Sequence, residues 1–184
     1  MTTFPKKKKA SAAPRNQFLD LMIRFVASAF YLGKLPVIPG TFGSLLGVFI
    51  YRYILVKMHL HPLAFFFIYL GYFLTGVFVM TLAKDAFSQD EAAIKVFDKS
   101  LGAMIALSAF NLEVFATQFP KVVVAFCLFR LLDITKIFPI ANLEKLPKGW
   151  GVMADDAGAG VIVLFFVAYL PESVWSTLME VFLR

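Results

Sequence analysis

The sequence predicts an all-α fold: an integral membrane helical bundle with four to five membrane segments and an N-terminal interfacial amphipathic helix. Of its 184 residues, 60% are hydrophobic and 16% are charged, whereas soluble domains average about 25% charged residues. The mean hydropathy is +0.77. These values exclude a disordered chain and an ordinary soluble enzyme. The single cysteine, Cys127, excludes an intramolecular disulfide, and we expect its thiol to be packed in the core.

One segment, 62–83, is long and apolar enough to cross a bilayer on its own, since a spanning helix needs roughly 20 apolar residues. Four further apolar stretches are shorter or interrupted by charge or proline: 41–56, 100–118, 119–133 and 157–180. Together they predict five crossings, although four crossings fit the sequence nearly as well. Short stretches can also be re-entrant, tilted or buried within the bundle.

The N-terminal region differs from the rest of the chain. Residues 1–17 form a basic tail that includes the run Lys6–Lys9, and we expect this tail to be flexible. Phe18–Leu32 is expected to lie along the interface as an amphipathic helix. Residues 18–184 then form a single membrane-embedded domain. A basic tail on so apolar a chain fits an anionic lipid surface, and we expect no nucleic-acid partner.

The charge distribution predicts an orientation. With five crossings, 14 of the 18 basic residues fall on the side of the N-terminus. The positive-inside tendency therefore places the N-terminus and the two long polar loops in the cytoplasm.

The acidic residues collect on the same predicted face, where the segments after the first crossing place 8 of the 12 carboxylates. Asp98, Asp133 and the pair Asp155–Asp156 lie at the ends of apolar segments, where acids are costly unless they bind a cation, form pairs or reach water. Oxygen ligands favour a hard cation, with Mg²⁺ as the first choice. Each acid also fits a structural role, Asp155 and Asp156 as helix caps and Asp133 as an ion-pair partner of Arg130 or Lys136.

Two further elements suit an anionic substrate. Segment 39–44 supplies glycines, hydroxyls and backbone N–H groups just before an apolar helix, and such a helix N-terminus can bind phosphate. The same segment also fits a helix cap with close packing. In the second element, spacings of three place Arg130, Asp133 and Lys136 roughly on one side of a helix, so that two cations could meet phosphate beside an acid.

Four segments resemble the phosphatidylglycerophosphatase A family, in the family's order and with similar spacing. They are PGTFGSL at 39–45, VFDKSLG at 96–102, FRLLDITKIFP at 129–139 and GVMADDAGAG at 151–160. The resemblance covers about residues 30–170. Members of this family are small Mg²⁺-dependent enzymes of the bacterial inner membrane. They hydrolyse phosphatidylglycerophosphate to phosphatidylglycerol and phosphate.

The resemblance implies roles for specific residues. The expected metal ligands, which are also catalytic, are Asp98, Asp133, Asp155 and Asp156, and Lys136 is expected to join them in catalysis. The residues expected to bind the anionic phospholipid substrate are Gly40, Thr41, Gly43, Ser44, Arg130 and Lys136. Lys99, which the resemblance does not supply, is also expected to bind the substrate. The chemistry leaves open whether water attacks phosphorus directly or an aspartyl-phosphate forms first.

Two positions depart from the family pattern, because Lys99 stands where the family has glutamate and Ile137 where it has proline. A cation in place of a carboxylate lowers metal affinity by Coulomb repulsion. Lys99 could neutralise the phosphate, or Asp90 or Glu91 could replace the missing acid. The chain could also be a catalytically impaired relative that binds anionic lipid or a protein partner. A small cation transporter subunit is a weaker alternative, since its acids would be distributed through the depth of the spans.

Overall fold

The computed structural model describes residues 39–58, 60–86, 96–147 and 149–182. The basic tail 1–17, the expected interfacial helix Phe18–Leu32, and Asp90 and Glu91 lie outside the described residues. Within the described ranges all regular structure is helical, which confirms the predicted all-α class.

The helices are numbered here in chain order: α1 (Pro39–Ile50), α2 (Pro62–Ala86), α3 (Phe97–Leu107), α4 (Leu112–Thr117), α5 (Phe119–Thr135), α6 (Ile140–Leu143), α7 (Gly149–Tyr169) and α8 (Glu172–Phe182). Helix α1 runs directly into a π-helical segment, Tyr51–Leu55, and then into a 3₁₀ turn, Val56–Met58.

Three of the described helical segments have the length and apolar composition of a membrane span: Gly40–Met58, Pro62–Leu82 and Gly149–Tyr169. The expected crossing over 100–118 is instead two short helices, because the chain turns after α3 and Asn111 caps α4 by accepting the N–H of Val114 at 3.0 Å. The segment expected over 157–180 begins earlier, at Gly149, and is interrupted before α8. The total of four to five membrane segments stays a prediction.

Helix α3 lies in the middle of the bundle, packed against α1 and α7. Every residue from Ser100 to Leu107 is buried. The crossing of α3 and α7 is very close, since a Cβ on Gly102 would lie 2.5 Å from the carbonyl oxygen of Asp156. A Cβ on Gly160 would lie 2.4 Å from the carbonyl oxygen of Gly102. Glycine is therefore required at this crossing for the two backbones to approach.

The outer surface of the bundle is apolar. Several aromatic side chains are more than half exposed: Phe66, Phe67, Phe78, Phe165 and Tyr169. A contiguous apolar exterior of this kind fits the hydrocarbon of a bilayer. Cys127 is also exposed. The expectation of a packed core thiol is wrong, because α5 presents this residue at the surface.

At the end of the bundle where α5 starts, a buried lysine holds α5 to α8. The Lys121 Nζ atom lies 2.9 Å from the Glu172 carboxylate and 5.3 Å from the centre of the Trp175 ring. This ammonium is thus paired by both an anion and an aromatic face, as a buried charge requires.

The close approach of α3 and α7 predicts a difference between two glycine substitutions. Gly102→Ala should lower the free energy of unfolding by about 1–3 kcal/mol, because the added methyl group would overpack the crossing. It would meet the Asp156 carbonyl oxygen at 2.5 Å and the Phe129 ring at 2.6 Å. Thermal unfolding of the protein in detergent micelles measures the loss.

Gly71→Ala is the matched control, since a Cβ at Gly71 meets nothing within 4 Å. Alanine has the higher helix propensity, so this variant should be as stable as the wild type or slightly more stable. Equal destabilisation by the two substitutions would contradict the close packing at Gly102.

Candidate active site

A cluster of buried polar side chains lies where the first turns of α1 and α3, the end of α5 and the second turn of α7 meet. Its members are Ser44, Asp98, Lys99, Arg130, Asp133, Lys136, Asp155 and Asp156. The four aspartates are at most 6% exposed. Buried carboxylates are stable only with cations or hydrogen-bond donors nearby, so their partners define the site.

Lys99 lies at the centre of this cluster. Its Nζ atom is 2.6 Å from Oδ1 of Asp133 on α5 and 3.1 Å from Oδ2 of Asp156 on α7. Burial alone lowers the pKa of Lys99, but the surrounding carboxylates of Asp156, Asp98 and Asp133 outweigh burial and raise it. The ammonium therefore stays charged and connects three helices.

Arg130 also belongs to the cluster and lies on α5, one helical turn before Asp133. Its Nη1 atom donates to Oδ2 of Asp133 and, at 3.3 Å, to the hydroxyl of Ser44. The Ser44 hydroxyl donates in turn to the Gly40 carbonyl at 3.1 Å. A Cβ on Gly40 would lie 3.0 Å from Cδ of Lys99 and 3.2 Å from Nη2 of Arg130. Glycine at this position leaves space for both cationic side chains.

Lys136 follows the end of α5, in the left-handed conformation with φ of 45°. Its Nζ atom lies 2.8 Å from Oδ2 of Asp155 and 2.7 Å from Oε1 of Glu144. Burial lowers the pKa of Lys136, but the hydrogen bonds that its ammonium donates to Asp155 and Glu144 outweigh burial and raise the pKa. Glu144 was not assigned to the site from the sequence, because nothing in the local pattern connects it to Lys136 eight residues earlier.

Asp98 differs from the other site aspartates because the described residues offer it no ion pair at salt-bridge distance. Its Oδ1 atom accepts the backbone N–H of Lys99 at 2.7 Å. Burial raises the pKa of Asp98 to about 6, although the nearby charge of Lys99 opposes the rise. A carboxyl group with this pKa can accept or release a proton near neutral pH.

A polar cavity of about 270 Å³ opens within the cluster. Its walls combine both signs of charge with two apolar side chains: Asp98, Lys99, Arg130, Asp133, Ile134, Lys136, Glu144, Val152 and Asp155. Asp156 lies beside this cavity without lining it, bonded to the ammonium of Lys99. The cavity is therefore a concave site with convergent charged groups.

The glycine-rich segment 39–44 has a different position from the one predicted. It forms part of α1 and does not lie in a loop before the helix. Gly43 faces the backbone of Val96, where a Cβ would come within 2.7 Å of the carbonyl oxygen. Gly40, Thr41, Gly43 and Ser44 are all absent from the cavity lining; the Ser44 hydroxyl accepts from Arg130, and a Cβ on Gly40 would meet Lys99 and Arg130. The sequence left open whether this segment binds phosphate or packs closely, and Gly43 packs closely.

Asp155 and Asp156 also differ from the expectation that they begin a helix. They are the seventh and eighth residues of α7, which covers Gly149–Tyr169. They therefore do not cap its N-terminus, and their carboxylates are held by Lys136 and Lys99 instead.

The side chains as arranged do not fit the predicted Mg²⁺ site. Within the described ranges, no three Asp, Glu, His or Cys side chains surround a point where one metal ion could bind. The Lys99 ammonium lies between Asp133 and Asp156, and Lys136 takes an oxygen of Asp155. A divalent ion held by these carboxylates would have to displace an ammonium group. Dependence on Mg²⁺ stays a prediction.

The fold and the cavity together define a class of protein. An apolar helical bundle with a charged cavity at one end is the arrangement of a membrane protein with a binding or catalytic site at that end.

Comparison with known proteins identifies the family. Residues 25–171 match the family described as phosphatidylglycerophosphatase A. A phosphatidylglycerophosphatase A from Haemophilus influenzae is 36% identical over 155 residues, covering 80% of this chain and 89% of the relative. One from Escherichia coli is 32% identical over 174 residues, covering 92% and 95%. The chain belongs to the phosphatidylglycerophosphatase A family and is a membrane protein.

A third relative, from Bacteroides thetaiotaomicron, carries the provisional name phosphatidylinositol-3-phosphatase. It is 28% identical over 156 residues, which cover 84% of this chain and 94% of the relative. No solved structure matches the chain.

The ion pairs of the site predict unequal effects for two carboxylate-to-amide substitutions. Asp133→Asn should lower the free energy of unfolding by about 3–5 kcal/mol, because it removes the shared anion of two largely buried cations. The side chains of Lys99 and Arg130 are only 13% and 15% exposed. Thermal unfolding in detergent micelles, without substrate, measures the change.

Glu144→Gln is the control. Glu144 also pairs with a lysine, but its side chain is 54% exposed. Solvent screening should keep the loss under about 1 kcal/mol. A loss at Glu144 as large as the loss at Asp133 would contradict the distinction between a buried and a solvent-screened pair.

Proposed function

We propose that the protein hydrolyses the phosphomonoester of phosphatidylglycerophosphate, giving phosphatidylglycerol and phosphate. The observation that supports this most directly is the polar cavity, in which Lys99, Arg130 and Lys136 lie beside carboxylates. Membership of the phosphatidylglycerophosphatase A family supports a phosphoric monoester hydrolase and supplies the lipid substrate class.

Among the described residues, the basic side chains keep hydrogen-bond donors for a phosphate. The described hydrogen bonds of Arg130 use only Nη1, while a guanidinium has five N–H groups. Lys136 is the most exposed of the three basic side chains, and its ammonium contacts both Asp155 and Glu144. A phosphate can therefore take donors from Arg130 and Lys136 without breaking the contacts between Lys99 and its two carboxylates. These donors would also stabilise the charge on the phosphoryl oxygens during reaction.

Asp98 is the carboxylate best placed to activate water. It lines the cavity, and the described residues leave it without a cationic partner at salt-bridge distance. In this proposal Asp98 accepts a proton from a water molecule as the water oxygen attacks phosphorus. The bond between phosphorus and the glycerol oxygen breaks, and that oxygen takes up a proton to leave as the alcohol. Direct attack by the Asp98 carboxylate on phosphorus would instead give an aspartyl-phosphate. In that case a single turnover of phosphate-labelled substrate would leave the label bound to the protein.

An apolar groove next to the cavity suits a lipid chain. The groove has a volume of about 550 Å³ and lies between α2, α3 and α7. It begins at Leu101 and Ala157, directly beyond Lys99 and Asp156, and continues along both helices to Ile105 and Leu164. A phospholipid with its phosphate in the polar cavity could thus lay an acyl chain against these helices.

Family membership and the charge distribution support a proposal for the membrane and for the orientation of the protein in it. We assign the protein to the bacterial inner membrane as a multi-pass protein, with its N-terminus and active site on the cytoplasmic side. The positive-inside tendency supports this orientation, because 14 of the 18 basic residues fall on that predicted side.

A second function, binding of anionic lipid without turnover, is favoured by one observation. Lys99 directly pairs with Asp133 and Asp156, which are two of the expected catalytic acids. Retention of phosphate binding together with complete absence of phosphate release would select this function.

The central test is phosphate release from phosphatidylglycerophosphate in mixed micelles, measured with and without Mg²⁺. The wild type should release phosphate, and Lys136→Gln should lower kcat/KM by about 100-fold or more, because an oriented cation is lost from the developing charge. Absence of release by the wild type under both conditions would overturn the enzyme proposal.

Lys145→Gln is the matched control for this variant. Lys145 is exposed, bonds to the side chain of Asn142 at 3.0 Å, and does not line the cavity. Its neutralisation should leave kcat/KM within about twofold of the wild type, since exposed charges are screened. A similar loss in both variants would indicate a general effect of surface charge.

The groove predicts that a substitution in its wall changes KM only for substrates with a long acyl chain. Val161 lines the groove, whereas its neighbour Ile162 does not. Val161→Phe should raise KM for a long-chain substrate at least about threefold, because the larger ring fills space that the acyl chain would use. It should leave hydrolysis of a soluble chain-free phosphomonoester unchanged. Ile162→Phe is the control, and an equal rise in KM there would contradict acyl binding in the groove.

A further inference from the structure

We infer that the Lys99 ammonium is the resident cation of the carboxylate cluster, in the position that a divalent metal ion would otherwise take. The site then binds divalent cations weakly, and phosphate is handled without one. This inference concerns the cation of the cluster and is independent of the headgroup that the enzyme prefers.

The contacts of Lys99 are those of a central cation. Its Nζ atom is within 3.3 Å of three carboxylate oxygens, one from Asp133 and two from Asp156. These acids come from α5 and α7, and the ammonium reaches them from α3. The carboxyl group of Asp98 precedes it in the chain and adds a further negative charge. The ammonium therefore meets carboxylate oxygens from two other helices at hydrogen-bonding distance, as a cation bound in the cluster would.

The position of the ammonium is fixed by its surroundings. The first turn of α3 is held by Tyr72, whose hydroxyl lies 2.6 Å from the hydroxyl of Ser100. The Tyr72 ring stacks on Phe97 with the ring centres 4.2 Å apart. Gly40 leaves room for the aliphatic stem of Lys99, which is only 13% exposed at its side chain. Lys99 is thus a packed residue and not a surface lysine that happens to meet an acid.

Electrostatics oppose the addition of a metal ion beside Lys99. A divalent ion bound by Asp133 and Asp156 would share its ligands with an ammonium at hydrogen-bonding distance from both. The two cations would repel each other strongly in an environment of low dielectric constant. Binding would also need displacement of the ammonium from the oxygens of Asp133 and Asp156, because a divalent ion would use these same oxygens as ligands. We therefore expect a low affinity for Mg²⁺ and Mn²⁺ while Lys99 is present.

Mn²⁺ binding to the full chain tests the inference without relying on activity. The loss of the free Mn²⁺ signal in electron paramagnetic resonance gives the affinity in a zwitterionic detergent. Lys99→Met keeps a long side chain but removes the charge, and it should bind Mn²⁺ at least about tenfold more tightly than the wild type. The matched control Lys145→Met neutralises an exposed lysine at the same end of the bundle and should bind like the wild type.

Mn²⁺ binding to the wild type as tight as to Lys99→Met would overturn the inference. If Lys99→Met does not fold, the Mn²⁺ affinity of the wild type alone tests the inference. Saturable Mn²⁺ binding with a Kd below about 10⁻⁴ M, in the range of dedicated protein sites, would then overturn it. The lack of such binding would support it.

Phosphate release supplies a second readout. Release by the wild type should be unchanged by a chelator such as EDTA, and a strict requirement for a divalent ion would overturn the inference. Absence of release under every condition would contradict the proposed hydrolysis. The Mn²⁺ affinities would still decide which cation the cluster holds, so the two proposals can fail separately.

Discussion

The contact of one ammonium group with two carboxylates from different helices organises the polar end of this bundle. Asp133 and Asp156 are almost completely buried, and each would be strongly destabilising without a cation. Lys99 supplies that cation to both. Because the charge is shared, the start of α3, the end of α5 and the second turn of α7 are held together, and these three segments carry most of the residues that line the cavity.

The glycine crossing of α3 and α7 makes this contact possible. Gly102 lies three residues after Lys99, and Gly160 lies four residues after Asp156, so the crossing is one helical turn away from the ion pair. Side chains at the crossing would separate the helices and lengthen the distance between ammonium and carboxylate. The apolar packing and the polar site are therefore one structural unit, since the closeness of two backbones determines the geometry of the charges.

The sequence could predict the parts of this arrangement that depend on composition and short spacing. The apolar excess indicated an all-α bundle, and the spacing of three between Arg130 and Asp133 allowed the ion pair that the structure contains. It could not predict which of several acids Lys99 would meet, because those partners lie 34 and 57 residues away in the chain. The same holds for Glu144, which reaches Lys136 only after the chain turns through α6.

The position of the site on α3 and α7 has a consequence for how a lipid would be recognised. Each of these helices contributes charged residues to the polar cavity and, immediately afterwards, apolar residues to the groove: Asp98 and Lys99 precede Leu101, and Asp155 precedes Ala157. A phosphate held by Arg130 and Lys136 of the α5 region would therefore lie one turn from the acyl-chain groove along both α3 and α7. A shift of α3 against α7 that enlarges this side of the groove would also stretch the contact between Lys99 and Asp156, so on this side the space for an acyl chain is linked to the ion pairs of the site.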